Sequence, residues 1–169
     1  MVALIPGSFD PITLGHVNII ERAAEKFDTV YVAVMNNDSA KHDKTLSSKT
    51  YTFDMSERLK MVELSIAHIE NVKVISFGGM LIDLFDEISA DVIVKGIRNA
   101  ADLEYEMIHA KWNKAHNPHI ETLFMTADEN LCAISSTLVR EYIRNGEYGK
   151  LGDALSVPVV EYLKSLYKE

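Results

Sequence analysis

Hydrophobic residues recur in two ways along this chain: short β-branched runs, and longer segments with apolar positions three and four residues apart. Val2–Pro6 is a brief apolar run stopped by turn residues, which predicts a buried strand. Val17, Ile20, Ala23, Ala24 and Phe27 keep helical spacing across Leu14–Phe27. Thr29–Met35 (TVYVAVM) is β-branched and mostly apolar, the pattern of a strand buried on both faces. Val72–Phe77, Asp91–Lys95 and Ile120–Met125 predict three more strands. Met80–Ile88, Ala101–His116, Ser136–Arg144 and Val157–Tyr167 predict helices.

Between the second strand and the next helix, Asn36–Phe53 has no periodicity and carries Lys41, His42, Lys44 and Lys49. A stretch this long inside a compact domain is either a functional lid or an excursion from the fold. Tyr51 and Phe53 are candidates to close over a ligand. Asp54 followed by Glu57 predicts a capping box that starts a helix running through about Ile69.

Strand and helix alternate throughout. Parallel neighbours need crossover connections, so the alternation predicts an α/β domain over residues 1–169, a five-stranded parallel sheet with helices on its faces. Helices from about 136 to 169 close it. In such sheets ligands sit beyond the carboxyl ends of the strands, where strand order reverses. The loops after strands one, two, four and five are therefore the ones to search.

Composition narrows the field. Hydrophobic residues at 47% and charged residues at 25% are the balance of a soluble globule. No apolar run approaches the roughly 20 residues of a spanning helix, and no basic-then-apolar leader is present, so the expected location is the cytoplasm with no membrane contact. A net charge of −8 argues against binding long nucleic acids, which need a basic surface. A small anion needs only a local cluster of donors. Cys132 is the single cysteine, which rules out an internal disulfide and predicts a small buried hydrophobe.

The selected loops carry such clusters. After strand one, Gly7 and Gly15 permit close backbone approach, Ser8 and Thr13 supply hydroxyls, and His16 falls in the first turn of a helix whose free N–H groups favour anions. His16 alone fits a capping or packed residue as well as a ligand contact. After strand four, Lys95 and Arg98 flank Gly96, suited to oxyanions or simply to solvent at a strand end. After strand five, Ser135, Ser136 and Thr137 open a helix with Arg140 in its first turn; capping needs one of these hydroxyls, not three. Neither a Walker loop nor G-x-G-x-x-G occurs. His42, His68, His109, His116 and His119 form no metal-ligand pattern, and Trp112 suits packing or a subunit interface better than a stacking platform.

Pro6-Gly7-Ser8-Phe9-Asp10-Pro11-Ile12-Thr13 with Gly15-His16, then Gly96-Ile97-Arg98, Asp102, Glu104-Tyr105-Glu106 and Ile134-Ser135-Ser136, resemble the bacterial phosphopantetheine adenylyltransferases. These belong to the nucleotidyltransferase superfamily marked by T-x-G-H, and the resemblance covers nearly the whole chain. It implies a Rossmann-like doubly wound fold, Mg²⁺ and a homohexamer. It also implies the reaction, in which ATP and 4′-phosphopantetheine give dephospho-coenzyme A and pyrophosphate in the penultimate step of coenzyme A synthesis. By position, Ser8 would touch both substrates. Phe9, His16, Gly96, Ile97, Arg98, Glu106 and Leu131, Cys132, Ala133, Ile134, Ser135, Ser136 and Thr137 would contact ATP. Lys41, Leu81 and Lys95 would face the pantetheine substrate.

The chemistry implied is in-line attack without a covalent intermediate, His16 stabilising the transition state while Lys41, Lys95 and Arg98 offset charge repulsion. No protein side chain is assigned to the metal. A related enzyme with another phosphate acceptor and a non-catalytic nucleotide sensor are the competing readings.

Overall fold

The computed structural model describes residues 1–36 and 50–167. Five strands alternate with six α-helices: β1 Val2–Gly7, α1 Leu14–Ala24, β2 Thr29–Met35, α2 Met55–Ile66, β3 Val72–Phe77, α3 Leu81–Glu87, β4 Val92–Ile97, α4 Ala100–His116, β5 Thr122–Thr126, α5 Ser136–Arg144 and α6 Val157–Tyr167. Of the long polar stretch, 37–49 and with it Lys41 lie outside the described residues.

The strands form one parallel sheet in the order β3-β2-β1-β4-β5. This is the doubly wound, Rossmann-like arrangement. The chain winds outward from β1 to β3, then returns across the sheet to β4, so order reverses between β1 and β4. β1 pairs with β2 from Val2↔Thr29 to Gly7↔Val34, yet with β4 only at Ala3↔Val92 and Leu4↔Ile93. Beyond Leu4 the two central strands no longer pair, and the crevice expected at a switch point lies between their carboxyl ends.

Each face of the sheet has its own core. Ile5, Val32 and Val94 pack with Ile20 of α1, Met61 and Val62 of α2, and Val159 and Leu163 of α6 on one face. Leu4, Ala33 and Ile93 pack with Leu84 and Phe85 of α3 on the other. β2 shows the expected burial, with Val30, Val32, Ala33 and Val34 fully enclosed. Among the described residues no helix is long and apolar enough to cross a membrane.

Several boundaries moved for local reasons. α1 ends at Ala24, not Phe27, because the N–H groups of both Lys26 and Phe27 turn to the Ala23 carbonyl. α2 opens with the expected capping box, Asp54 Oδ1 accepting from Glu57 N–H at 2.8 Å and Glu57 Oε2 from Asp54 N–H at 2.9 Å. It stops at Ile66 rather than Ile69. β4 runs on to Ile97, two residues past the expected end, through Lys95↔Phe124, Gly96↔Met125 and Ile97↔Thr126. Lys95 and Gly96 are thus strand residues. Two short 3-10 turns, Glu129–Leu131 and Tyr148–Asp153, fill segments that periodicity left blank.

Candidate active site

The turn after β1 is tightly folded on itself. Phe9 is buried with φ of 45°, and its ring lies over Gly7, where a Cβ would come within 2.8 Å of Phe9 Cζ. Only glycine leaves room there. Phe9 therefore belongs to the core around the crevice, and its ring meets that of His16 edge-on, centroids 5.2 Å apart. The Asp10–Pro11 peptide is cis.

His16 is the third residue of α1. Its Nδ1 accepts the backbone N–H of Thr13 at 3.0 Å and stands 2.9 Å from Thr13 Oγ1, which fixes the ring against the helix start. Burial, and secondarily the charge of Arg98, push its pKa down to about 4. The ring is neutral at pH 7, and since Nδ1 accepts, the proton sits on Nε2. His16 is thus both the partner of the Thr13 cap and a positioned N–H donor. The two readings that its sequence position left open are compatible.

Across the crevice, Lys95 Nζ lies 3.0 Å from Glu106 Oε2, both side chains about one-fifth exposed. Arg98 grips Asp102 with Nε to Oδ2 at 2.7 Å and Nη2 to Oδ1 at 3.0 Å, the bidentate geometry available only to arginine. Hydrogen bonds from Arg98 hold the Asp102 carboxylate below its usual pKa range. Arg98 Nη1 also donates to the Ile134 carbonyl at 3.3 Å, joining the β4 and β5 loops. Gly96 has a packing reason of its own: a Cβ would stand 3.0 Å from Ile19 Cγ1, so α1 can lie close on β4.

The three hydroxyls after β5 all have internal partners. Ser135 Oγ caps α5 by accepting from Leu138 N–H at 3.1 Å. Ser136 Oγ donates to the Pro11 carbonyl at 2.8 Å, and Thr137 Oγ1 accepts from Arg140 Nη2 at 3.0 Å. Arg140 Nη1 in turn donates to the Asp10 carbonyl at 2.6 Å. The segment Leu131–Thr137 is thereby stitched to the turn after β1. Cys132 is partly buried rather than fully enclosed, its Sγ facing the Ala127 and Asp128 carbonyls.

The structure brings Ser8, Phe9, His16, Arg98, Ile134, Ser135, Ser136 and Thr137 to one edge of the sheet through these contacts. Lys95 and Glu106 meet each other on the β4 side. Leu81 opens α3, after β3, and packs against the second core. Phe53 is no ligand cover: it is 2% exposed and sits in the first core, while Tyr51 stacks on Arg58 at 4.2 Å. Trp112 packs on His116, rings 3.9 Å apart, and remains half-exposed.

Two residues of this edge escaped sequence reasoning. Asp10 is 2% exposed, and its carboxylate accepts the N–H groups of Thr52 at 3.0 Å and Phe53 at 2.9 Å. Arg58 of α2 is buried among main-chain carbonyls. An aspartate in a turn and an arginine in a helix look ordinary in a sequence, and most of their partners lie 22 to 50 residues away. Among the described residues no group of three His, Cys, Asp or Glu could hold a metal ion.

A helix-flanked parallel sheet with cations, hydroxyls and a helix start gathered at its switch point is an arrangement suited to binding a nucleotide. The sequence pattern of the cytidylyltransferase-like family matches residues 4–142, and the chain belongs to that family. Its fold is similar to that of a solved protein described as a nicotinate-nucleotide adenylyltransferase from Vibrio parahaemolyticus. That match has a TM-score of 0.66 and 20% identity, over 96% of this chain and 97% of that one.

Proposed function

We propose that this nucleotidyltransferase moves the adenylyl group of ATP, entering as its Mg²⁺ complex, onto 4′-phosphopantetheine, releasing pyrophosphate and forming dephospho-coenzyme A. The observation that carries the proposal is the neutral His16, its Nε2–H held at the helix start where β1 and β4 part, with Arg98 beside it. The acceptor's phosphate is anionic near neutral pH, its second pKa being about 6, so no strong base is required. One of its oxygens attacks the α-phosphorus in line as the bond to the β-phosphate bridging oxygen breaks, and pyrophosphate leaves with that electron pair. His16 Nε2–H donates to an α-phosphate oxygen as charge builds there.

Lys95 and Arg98 reduce the repulsion between two polyanions by sharing or exchanging their carboxylate partners with phosphate. Mg²⁺ would enter with ATP and would supply further charge neutralisation for its phosphates. The motif from Pro6 to His16 with Glu104-Tyr105-Glu106 supports phosphopantetheine as acceptor. The fold match supports a nicotinate nucleotide as the second reading. Exposed Tyr105, Met107, Ile108 and Trp112 on α4 and Leu123 on β5 support self-association, for which the resemblance suggests six copies.

Incubation with ATP labelled in its α-phosphate and with phosphopantetheine tests the reaction. Label is expected in dephospho-coenzyme A and not on the protein. Label retained in ATP, or bound to the chain, contradicts the proposal.

A further inference from the structure

Arg58 is 1% exposed, yet none of its described hydrogen bonds goes to a carboxylate. Nη1 donates to the Ser8 carbonyl at 2.7 Å and to the Met35 carbonyl at 3.1 Å, and Nε to the Phe53 carbonyl at 3.2 Å. Nη2 donates to Asn36 Oδ1, and the face of the guanidinium lies 4.2 Å from the Tyr51 ring centroid. Three carbonyls thus converge on one rigid plane. They come from the turn after β1, the carboxyl end of β2 and the residue before the Asp54 cap of α2.

A buried charge is costly to keep, and burial indeed lowers the pKa of this guanidinium from its ordinary value. A fold that needed only filler here would gain by an apolar residue. What a guanidinium supplies, and an apolar chain does not, is several donors in fixed directions. Asp10 works from the other side of the same turn, binding the N–H groups of Thr52 and Phe53. Phe53 is therefore held through both its N–H and its carbonyl, and the Ser8 peptide is fixed relative to it.

We infer that Arg58 is a positioning residue for phosphate binding: by clamping the Ser8, Met35 and Phe53 carbonyls it sets the Ser8 turn against the phosphates of the nucleotide. The inference rests on the nucleotidyltransferase reading above, since it takes the Ser8 turn to be where phosphates bind. Arg58 touches no substrate itself. Its effect should fall on the phosphates and leave binding of the nucleoside part of ATP untouched.

Arg58→Lys preserves the charge but cannot reach three carbonyls in one plane. Calorimetric affinities for ATP and for adenosine, with turnover corrected for folded protein, test the inference. The expected result is ATP affinity at least about 10-fold weaker, adenosine affinity within about twofold, and kcat at least about 10-fold lower. A purely structural role would weaken both ligands together or neither, and either outcome overturns the inference. Should the lysine variant not fold, Asn36→Ala removes one of the groups the guanidinium holds. It should weaken ATP about threefold and spare adenosine; unchanged ATP affinity overturns the inference. Wild-type protein that binds ATP but shows no transfer to phosphopantetheine removes the proposed reaction alone, whereas wild-type protein that fails to bind ATP removes both.

Discussion

On the β1 side of the crevice, Asp10, Arg58 and Arg140 spend hydrogen bonds on main-chain groups, whereas on the β4 side Lys95 and Arg98 face carboxylates near solvent. The first arrangement fixes backbone. Its partners are carbonyls and amides that cannot rotate away, and its polar groups are enclosed where an unmet bond is expensive. The second holds cations ready. The more exposed of the two pairs, Arg98–Asp102, adds little stability, so in the proposed reaction its carboxylate can be exchanged for phosphate at small cost, whereas Lys95 and Glu106 are only about one-fifth exposed. One half of the site supplies geometry and the other supplies charge.

Replacing one residue in each half should separate these roles. His16→Ala removes the donor fixed by the β1 side and should cut kcat at least about 10²-fold, roughly 2.7 kcal/mol, with circular dichroism unchanged. Near-normal turnover would take His16 out of the mechanism. Arg98→Ala should act on binding instead, raising the KM for ATP about 10-fold, roughly 1.4 kcal/mol, with a smaller change in kcat. Because this cation is about one-third exposed, the gap between variant and wild type should narrow as salt rises. A gap indifferent to salt would mean that the two halves are not electrostatically distinct.

Asp54→Ala tests whether the frame depends on α2 being capped. It removes the acceptor of the Glu57 N–H and should cost about 1 kcal/mol in chemical denaturation, with activity per folded molecule nearly intact. The smallest expected effect is in pH dependence. With its pKa near 4, His16 should contribute no titration to kcat between about pH 5.5 and 8. Stability should respond lower down. Between about 4 and the ordinary value of 6.5, the unfolded chain binds a proton at this ring that the folded chain does not, so stability rises with pH across that window. His16→Gln should show a shallower rise.

The sequence carried the frame's outline better than its fastenings. Alternating β-branched runs and helical spacings were enough for five parallel strands, and Asp54 with Glu57 announced a helix start correctly. β4 was cut short at Lys95 because a glycine discourages a strand reading, while the reason for Gly96, the approach of Ile19, comes from a helix far away in sequence. That His16, Arg98 and the serines after β5 lie at one edge of the sheet was legible because each follows a strand that the hydrophobic pattern reveals. Asp10 and Arg58 were not, since each acts through backbone groups that carry no residue-type signal. Phe53 was misread for a related reason: an aromatic at the end of a polar stretch looks exposed until the core beneath it is known.

Identity of the acceptor is the central claim, and one comparison tests it directly. Pyrophosphate release should be measured on the purified protein with ATP and Mg²⁺, using phosphopantetheine in one reaction and nicotinate mononucleotide in the other. Rapid release with phosphopantetheine and background release with nicotinate mononucleotide is the predicted result. The reverse preference would keep the crevice and His16 but contradict the proposed substrate.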